Sequence, residues 1–253
     1  MSAPSTVLIT GGNRGIGRGL VKTFLARPSL TVIVGVRDPS HPTSKALQDL
    51  PVGTGSRLIT VKLDSSVPSD AAAAVATLKV EHGIGSLDIV IANAGIASDG
   101  GLVRDTTVDN IKKHFDVNTI GPIVLFQATA DLLQASKTGQ PLFVAISTLL
   151  GSIGSMEHLV ALPPTSSPYG GSKAALNWFV RRLHFEEPWL TSFVVHPGLV
   201  ETEMAAAAFG EKLSVYGAIT IETSVKSLVT VIDKAGKELS GTFQNYDGTS
   251  IAW

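Results

Sequence analysis

The sequence predicts an α/β fold, a doubly wound parallel sheet of about seven strands with helices on both faces. Three observations predict it. Short β-branched apolar runs alternate with longer segments of helical pattern through most of the chain. Those apolar runs are continuous, the pattern of strands covered on both sides. No linker, low-complexity stretch or repeat divides the 253 residues, so positions 1–253 read as one domain.

The elements follow in order. Thr6–Thr10 is the first strand, after a start with neither a basic region nor a long apolar one, so no signal peptide is expected. Helix Gly15–Ala26 comes next and is stopped by Pro28. Strand Thr31–Val36, helix Thr43–Leu50 and strand Arg57–Lys62 continue the alternation. Pro68, after Ser65-Ser66, suits the first turn of helix Pro68–His82. Strand Leu87–Ala92 precedes two helices, Thr107–Val117 and Ile120–Ser136. Strand Leu142–Ser147, helix Pro168–Glu186 before Pro188, strand Ser192–His196, helix Thr223–Ala235 and a short strand Thr242–Phe243 complete the set. Gly151–Ser167 and Ala205–Ile221 fit no element, and long irregular segments in compact domains tend to carry function. Ala205–Gly210, with Phe209, reads either as a lid over a substrate or as a core-packing helix.

Composition excludes several classes. A net charge of −1 with no block of like charge gives no electrostatic case for nucleic acid or an anionic membrane. No apolar run approaches the ~20 residues a spanning helix needs. The chain has no cysteine, which removes disulfides, thiolate zinc sites and thiol catalysis, and a cytoplasmic protein is expected. No His/Asp/Glu cluster has zinc-ligand spacing, so no metal site is expected. Gly-x-Ser-x-Gly is absent, against a hydrolase of the α/β type. His184 and His196 read as structural, and His114, beside Lys112 and Lys113, as surface.

Chemistry begins at the first strand-to-helix junction, Thr10-Gly11-Gly12-Asn13-Arg14-Gly15-Ile16-Gly17. Glycines permit a tight turn and close backbone approach to a phosphate, and a helix N-terminus favours an anion. The absence of a Gly-Lys-Ser/Thr ending disfavours a nucleotide triphosphatase. In a dinucleotide fold, the end of the second strand lies near the adenosine ribose. Here Arg37 stands where an acid selective for NAD would be expected, and Arg14 is a second phosphate ligand in the turn. Together they favour NADPH/NADP+. Asp38 is the counter-evidence, read as turned into the Pro39 turn, and NADH is kept as the lesser alternative.

Tyr169 and Lys173 stand four residues apart, one turn of helix on the same face. An ammonium near a phenol favours the phenolate, so Lys173 is expected to lower the Tyr169 pKa and let it pass a proton near neutrality. Alone, such a pair is also what an exposed helix carries.

With these residues in view, the chain resembles the short-chain dehydrogenase/reductase family along essentially its whole length, implying a single NAD(P)-binding Rossmann domain. Gly11, Gly15, Ile16 and Gly17 match the family's cofactor turn. Asp64 matches its adenine-contacting acid, and Asn93-Ala94-Gly95 the motif that supports the sheet and lines the cofactor. Asn118 matches the asparagine that holds a catalytic water beside the lysine. Pro197-Gly198-Leu199-Val200-x-Thr202 matches the segment closing over the nicotinamide. More narrowly, Gly-Gly-Asn-Arg in the turn, Val36-Arg37-Asp38 and Asn245-Tyr246-Asp247-Gly248 are similar to carbonyl-reductase and sniffer-like members and to fungal norsolorinic-acid-type ketoreductases.

The resemblance implies hydride transfer between nicotinamide C4 and a substrate carbonyl carbon. Tyr169 would be the general acid/base, Lys173 would bind the nicotinamide ribose, and Asn118 would complete a proton relay. A family serine normally bonds the substrate oxygen. Here Ala145-Ile146-Ser147-Thr148-Leu149-Leu150-Gly151 replaces the usual Ser-Ser, and registering Gly151 on the family's glycine puts Thr148 there in preference to Ser147. Threonine has the same hydroxyl inventory. The Ser152–Ser167 segment is longer than the family's, and would line the substrate pocket or obstruct tetramer packing. The expected partner is a small-molecule carbonyl compound, with a homodimer or homotetramer left open. The substrate site is expected from the 149–168 loop and the 203–221 segment. A non-catalytic NADP-binding regulator and an NAD-dependent alcohol dehydrogenase are the alternatives.

Overall fold

The computed structural model describes residues 5–97, 101–160, 167–210 and 212–253. Seven strands form one parallel sheet in the order β3-β2-β1-β4-β5-β6-β7. They are β1 Thr6–Thr10, β2 Thr31–Val36, β3 Arg57–Lys62, β4 Ile89–Ala92, β5 Leu142–Ile146, β6 Thr191–His196 and β7 Phe243–Asn245. The register pairs Leu8 with Ile33 on one side and with Val90 on the other. Chain direction across the sheet reverses between β1 and β4, and a crevice opens beyond the carboxyl ends of strands at such a point.

Both faces are buried, as continuous apolar strands require. Val7 and Ile9 point into a core shared with Leu20 and Phe24 of α1 (Gly15–Leu25) and Leu228 and Ile232 of α8 (Ile221–Asp233). Leu8 and Ile33 point the other way, against Leu78 of α3 (Pro68–His82), Leu132 of α5 (Gly121–Gln134) and Leu176 of α6 (Ser167–Glu186). Each fully buried aliphatic side chain contributes about 1.5–3 kcal/mol, so both layers are needed to hold the strand ends in place.

Four local readings change. The helix expected over Thr43–Leu50 is one turn, α2 Pro42–Lys45, capped by His41. It tightens into i→i+3 bonds (Leu47 N–H to the Ser44 oxygen, Gln48 N–H to the Lys45 oxygen) before Pro51 ends it. The two helices expected on either side of Asn118 are one continuous rod. There α4 Val108–Phe115 runs into α5 through a π turn at Asp116–Ile120, closed by the Gly121 N–H on the Asp116 oxygen. Pro122 has no N–H for the Asn118 carbonyl, so the widened turn occurs where the α-ladder would lose a bond. Across 203–221 lie α7 Glu203–Phe209, none of whose residues is buried, and a 3₁₀ turn at Leu213–Tyr216. This is not a core-packing helix. His114 is fully buried, its Nδ1 against the Asn110 oxygen at 2.9 Å, because it sits on the inner side of α4 while Lys112 and Lys113 before it face outward. Among the described residues no helix is long and apolar enough to cross a membrane, and no group of three or more His, Cys, Asp or Glu is placed to hold a metal ion.

Candidate active site

The glycine turn is built by the end of β1. Thr10 Oγ1 accepts from the N–H groups of Asn93 and Ala94, both at 3.1 Å, while Asn93 Nδ2 donates to the Thr10 oxygen at 2.9 Å. These bonds tie the carboxyl ends of β1 and β4 together at the crevice. Gly11 has φ +65°, a left-handed conformation that glycine adopts without steric cost. A Cβ at Gly17 would overlap the Gly11 carbonyl oxygen, so that face of α1 stays bare backbone. Such a cradle at a helix start fits a dinucleotide's phosphates.

Around it, Asn13 Nδ2 donates to Thr43 Oγ1 at 2.7 Å, which links the turn to α2. Arg14 forms an exposed ion pair with Glu203 at 3.3 Å. Arg37 is exposed just past β2 and has no ion-pair partner among the described residues. Asp38 Oδ1 accepts from the Ser40 N–H at 2.8 Å and the Ser40 hydroxyl at 2.6 Å, and these bonds hold its carboxyl below the usual range. Its carboxylate is engaged in the turn after Pro39, leaving Arg37 the free charge. Asp64, after β3, is held by the Ser66 N–H at 2.9 Å and hydroxyl at 2.7 Å, on the rim of a small cavity shared with Asp116 and Ile120.

The second cluster forms where α6 meets the ends of β5 and the π turn. The Thr148 hydroxyl lies close enough to the Tyr169 phenol to lower its pKa. Lys173 is buried, donates to the Ile146 carbonyl at 2.7 Å, and holds its Nζ 6.0 Å from the Tyr169 ring centre. A Cβ at Gly95 would lie 3.1 Å from Asn118 Oδ1 and 3.7 Å from Lys173 Nζ, so the Asn93-Ala94-Gly95 loop adjoins this cluster. Asn118 is clamped by the Ile96 main chain, Oδ1 accepting and Nδ2 donating at 2.9 Å each, and Nδ2 also donates to Ser172 Oγ at 3.1 Å.

The electrostatics depart from the expectation. Burial pushes the Tyr169 phenol up to about 12, against a lowering by the Thr148 hydroxyl. Burial pulls Lys173 down to about 8. For the phenol, desolvation outweighs the Thr148 effect, while the Lys173 ammonium donates to the Ile146 carbonyl. Tyr169 is therefore held protonated at neutral pH.

The two candidate hydroxyls part company. Ser147 Oγ donates to Asn177 Oδ1 at 2.5 Å, and Asn177 Nδ2 donates to the Gly151 oxygen at 3.1 Å, deep under α6. Thr148, buried less deeply than Ser147, caps the next 3₁₀ turn (Leu149–Gly151) by accepting from the Leu150 N–H at 3.3 Å. Of the segment that follows, residues 161–166, Pro163-Pro164 among them, lie outside the described residues.

Pro197–Thr202 reaches across from β6. The Pro197 oxygen accepts from Ser224 Oγ at 2.7 Å, and Val200 bridges Ile219. Gly198 turns the chain at φ +86°. Thr202 caps α7 through the Ala205 N–H, and its Cγ2 would lie 3.8 Å from a Cβ at Gly15. The glycine turn, Arg37, Asp64, Asn93 and Thr148 follow directly on the carboxyl ends of β1 to β5, and Pro197 on that of β6. Ser147 does not join the Tyr169 group. Sequence reasoning missed Ser172 and Asn177. Their signal was spacing, since Ser172 is three residues past Tyr169 and Asn177 four past Lys173, on one helical face.

A short chain dehydrogenase family model matches residues 5–212. The norsolorinic acid ketoreductase of Dothistroma septosporum is 42% identical over 257 residues, covering 100% of this chain and 94% of that one. The norsolorinic acid ketoreductase of Aspergillus parasiticus is 41% identical, over 97% of this chain and 90% of the relative. Among solved structures, the NADPH-bound carbonyl reductase from chicken fatty liver has a TM-score of 0.86 at 30% identity, covering 100% of both chains. The carbonyl reductase Sniffer of D. melanogaster has a TM-score of 0.82 at 27% identity, covering 99% and 100%. The chain belongs to the short chain dehydrogenase family, and is an oxidoreductase of the kind that acts on carbonyl and alcohol groups.

Proposed function

We propose that the protein is an NADPH-dependent carbonyl reductase acting on ketones or aldehydes, with Tyr169 as general acid/base. The observation that carries this reading is the closeness of the Thr148 hydroxyl to the Tyr169 phenol, with buried Lys173 next to Gly95 and so to the loop that packs on Gly11. Gly11 to Gly17, Asp64, Asn93 to Gly95 and Pro197 to Thr202 would hold the dinucleotide. Arg37 and Arg14 would take its 2′-phosphate. NADPH supplies the hydride that reaches the carbonyl carbon. Negative charge then develops on the carbonyl oxygen, where the Thr148 hydroxyl donates a hydrogen bond and Tyr169 delivers its proton. A phenol held protonated to about pH 12 suits that direction. Lys173, one turn from Tyr169, and Asn118, bonded to Ser172 on the same helix, would pass a proton back to it. The apolar side chains of Leu149, Leu150 and Met156, with the 203–221 segment opposite, would face the substrate. The NADPH-bound carbonyl reductase among the structural relatives supports the cofactor, and the two ketoreductases support the substrate group.

The test is NADPH oxidation against a panel of ketones and aldehydes, with Tyr169→Phe as control. Turnover that is lost in the variant while NADPH binding persists supports the reading. Turnover that survives Tyr169→Phe overturns the mechanism, and tight NADPH binding without turnover of any carbonyl overturns the activity.

A further inference from the structure

Thr148 is held from two sides, and only one of them belongs to the site described above. Upstream, Ser147 and Asn177 pin the end of β5 to α6. Downstream, the turn continues to Ser152 and Gly154, and both are stitched to a distant part of the chain. Ser152 is fully buried, and its Oγ donates to the Ala252 oxygen at 2.6 Å. The Gly154 N–H donates to the Trp253 main-chain oxygen at 2.6 Å.

That distant segment is itself anchored. The Ile251 N–H donates to the Phe243 oxygen at 2.8 Å, which extends the β7 edge. The Trp253 indole packs 5.7 Å from the Phe243 ring and takes the Arg181 guanidinium on its face at 4.9 Å. An exposed cation–aromatic contact is worth about 0.5–1 kcal/mol, and the ring contact adds a similar amount. The indole therefore spans β7 and α6, and its main chain holds the loop that starts at Thr148.

We propose that Ile251–Trp253 is a positioning strap for the Thr148 turn, and that Trp253 is a positioning residue for carbonyl reduction. The inference rests on the reductase reading above. The strap bonds the far end of the same five-residue stretch that carries the Thr148 hydroxyl and opens onto the substrate segment. Releasing Trp253 frees Gly154, then Ser152, and lets the Leu149–Gly151 turn shift the hydroxyl against Tyr169. It leaves the glycine turn, on the other side of the crevice, untouched.

The experiment uses the full chain and three measurements on Trp253→Ala, Trp253→Phe and Ser152→Ala. Trp253→Ala and Ser152→Ala are expected to lower kcat/KM for a ketone by about tenfold to a hundredfold, the cost of a misplaced reacting group, with the NADPH Kd unchanged. Trp253→Phe, which keeps a ring between Phe243 and Arg181, recovers most of the loss. In a Thr148→Ala background, Trp253→Ala costs less than about twofold more, because a residue that acts through Thr148 has nothing left to position. Hydrogen exchange at the Gly154 and Ser152 amides accelerates in Trp253→Ala. An equal loss in the Thr148→Ala background, or unchanged exchange at those amides, overturns the strap. If the wild type turns over no carbonyl, the reductase reading falls, and the exchange measurement still decides whether the strap holds the turn.

Discussion

Replacing Thr148 by valine removes one hydroxyl and keeps the branched shape, so it separates chemistry from packing at the site. Two interactions go with the hydroxyl: its lowering effect on the Tyr169 phenol and the bond accepted from the Leu150 N–H at 3.3 Å. Leu150 is only half-buried, so water can replace its lost acceptor, and the stability cost is about 1 kcal/mol. Loss of a preplaced donor to the developing oxyanion costs about 10²–10³ in kcat. The lost hydroxyl is also the group that lowers the phenol, so the alkaline limb of the reduction profile moves to higher pH. Ser147→Ala does the reverse. It strands Asn177 Oδ1 in a buried place, at about 2 kcal/mol or a fall of roughly 4–8 °C in Tm, and leaves kcat near wild type. Steady-state kinetics and thermal melts on both variants decide the matter. Near-normal kcat in Thr148→Val together with a collapse in Ser147→Ala would refute the assignment.

Two further outcomes follow from the charges. Arg37→Asp is expected to cut the NADPH/NADH ratio of kcat/KM by about tenfold to a hundredfold, as one charged hydrogen bond is lost and a repulsion introduced; an unchanged ratio would show that Arg37 does not read the phosphate. His196 has a fully buried Nδ1 without a hydrogen-bond partner among the described residues, and burial pulls its pKa down to about 4 against an opposing pull from Asp247. A histidine kept neutral when folded stabilises the fold fully above its ordinary value near 6.5, and that stability drains as the unfolded chain takes up the proton toward pH 4. The drop across that window is about 3 kcal/mol. Asp38, Asp70 and Asp247, with lowered carboxyls, lose their contribution only below their ordinary 3.8, outside the window. Urea melts of wild type and His196→Gln between pH 6.5 and 4 check this, and identical slopes would refute it.

The sheet was legible because burial on both faces leaves a plain mark, as in Val7-Leu8-Ile9, where neighbouring residues enter opposite cores. The glycine turn was legible because Gly11 and Gly17 answer steric demands that other residues cannot meet. Less was legible where a proline competes with periodicity. The helix expected over Thr43–Leu50 keeps a single α turn ahead of Pro51, while Pro122 follows a widened turn at Asn118 that does not end the rod. The phenol's titration was not legible, since it depends on how deeply α6 seats Tyr169 and on the carbonyl that Lys173 finds. Choosing between two adjacent hydroxyls was partly legible. The strand period sends Ser147 under α6, but only the turn after it aims Thr148 at Tyr169.

Transfer of the label from NADPH carrying deuterium at both hydrogens of nicotinamide C4 tests the central claim most directly. With a ketone, the wild type should yield an alcohol bearing one deuterium on the carbinol carbon, and Tyr169→Phe should bind the labelled cofactor yet form almost none. An unlabelled alcohol, or equal labelled product from the variant, would contradict the account.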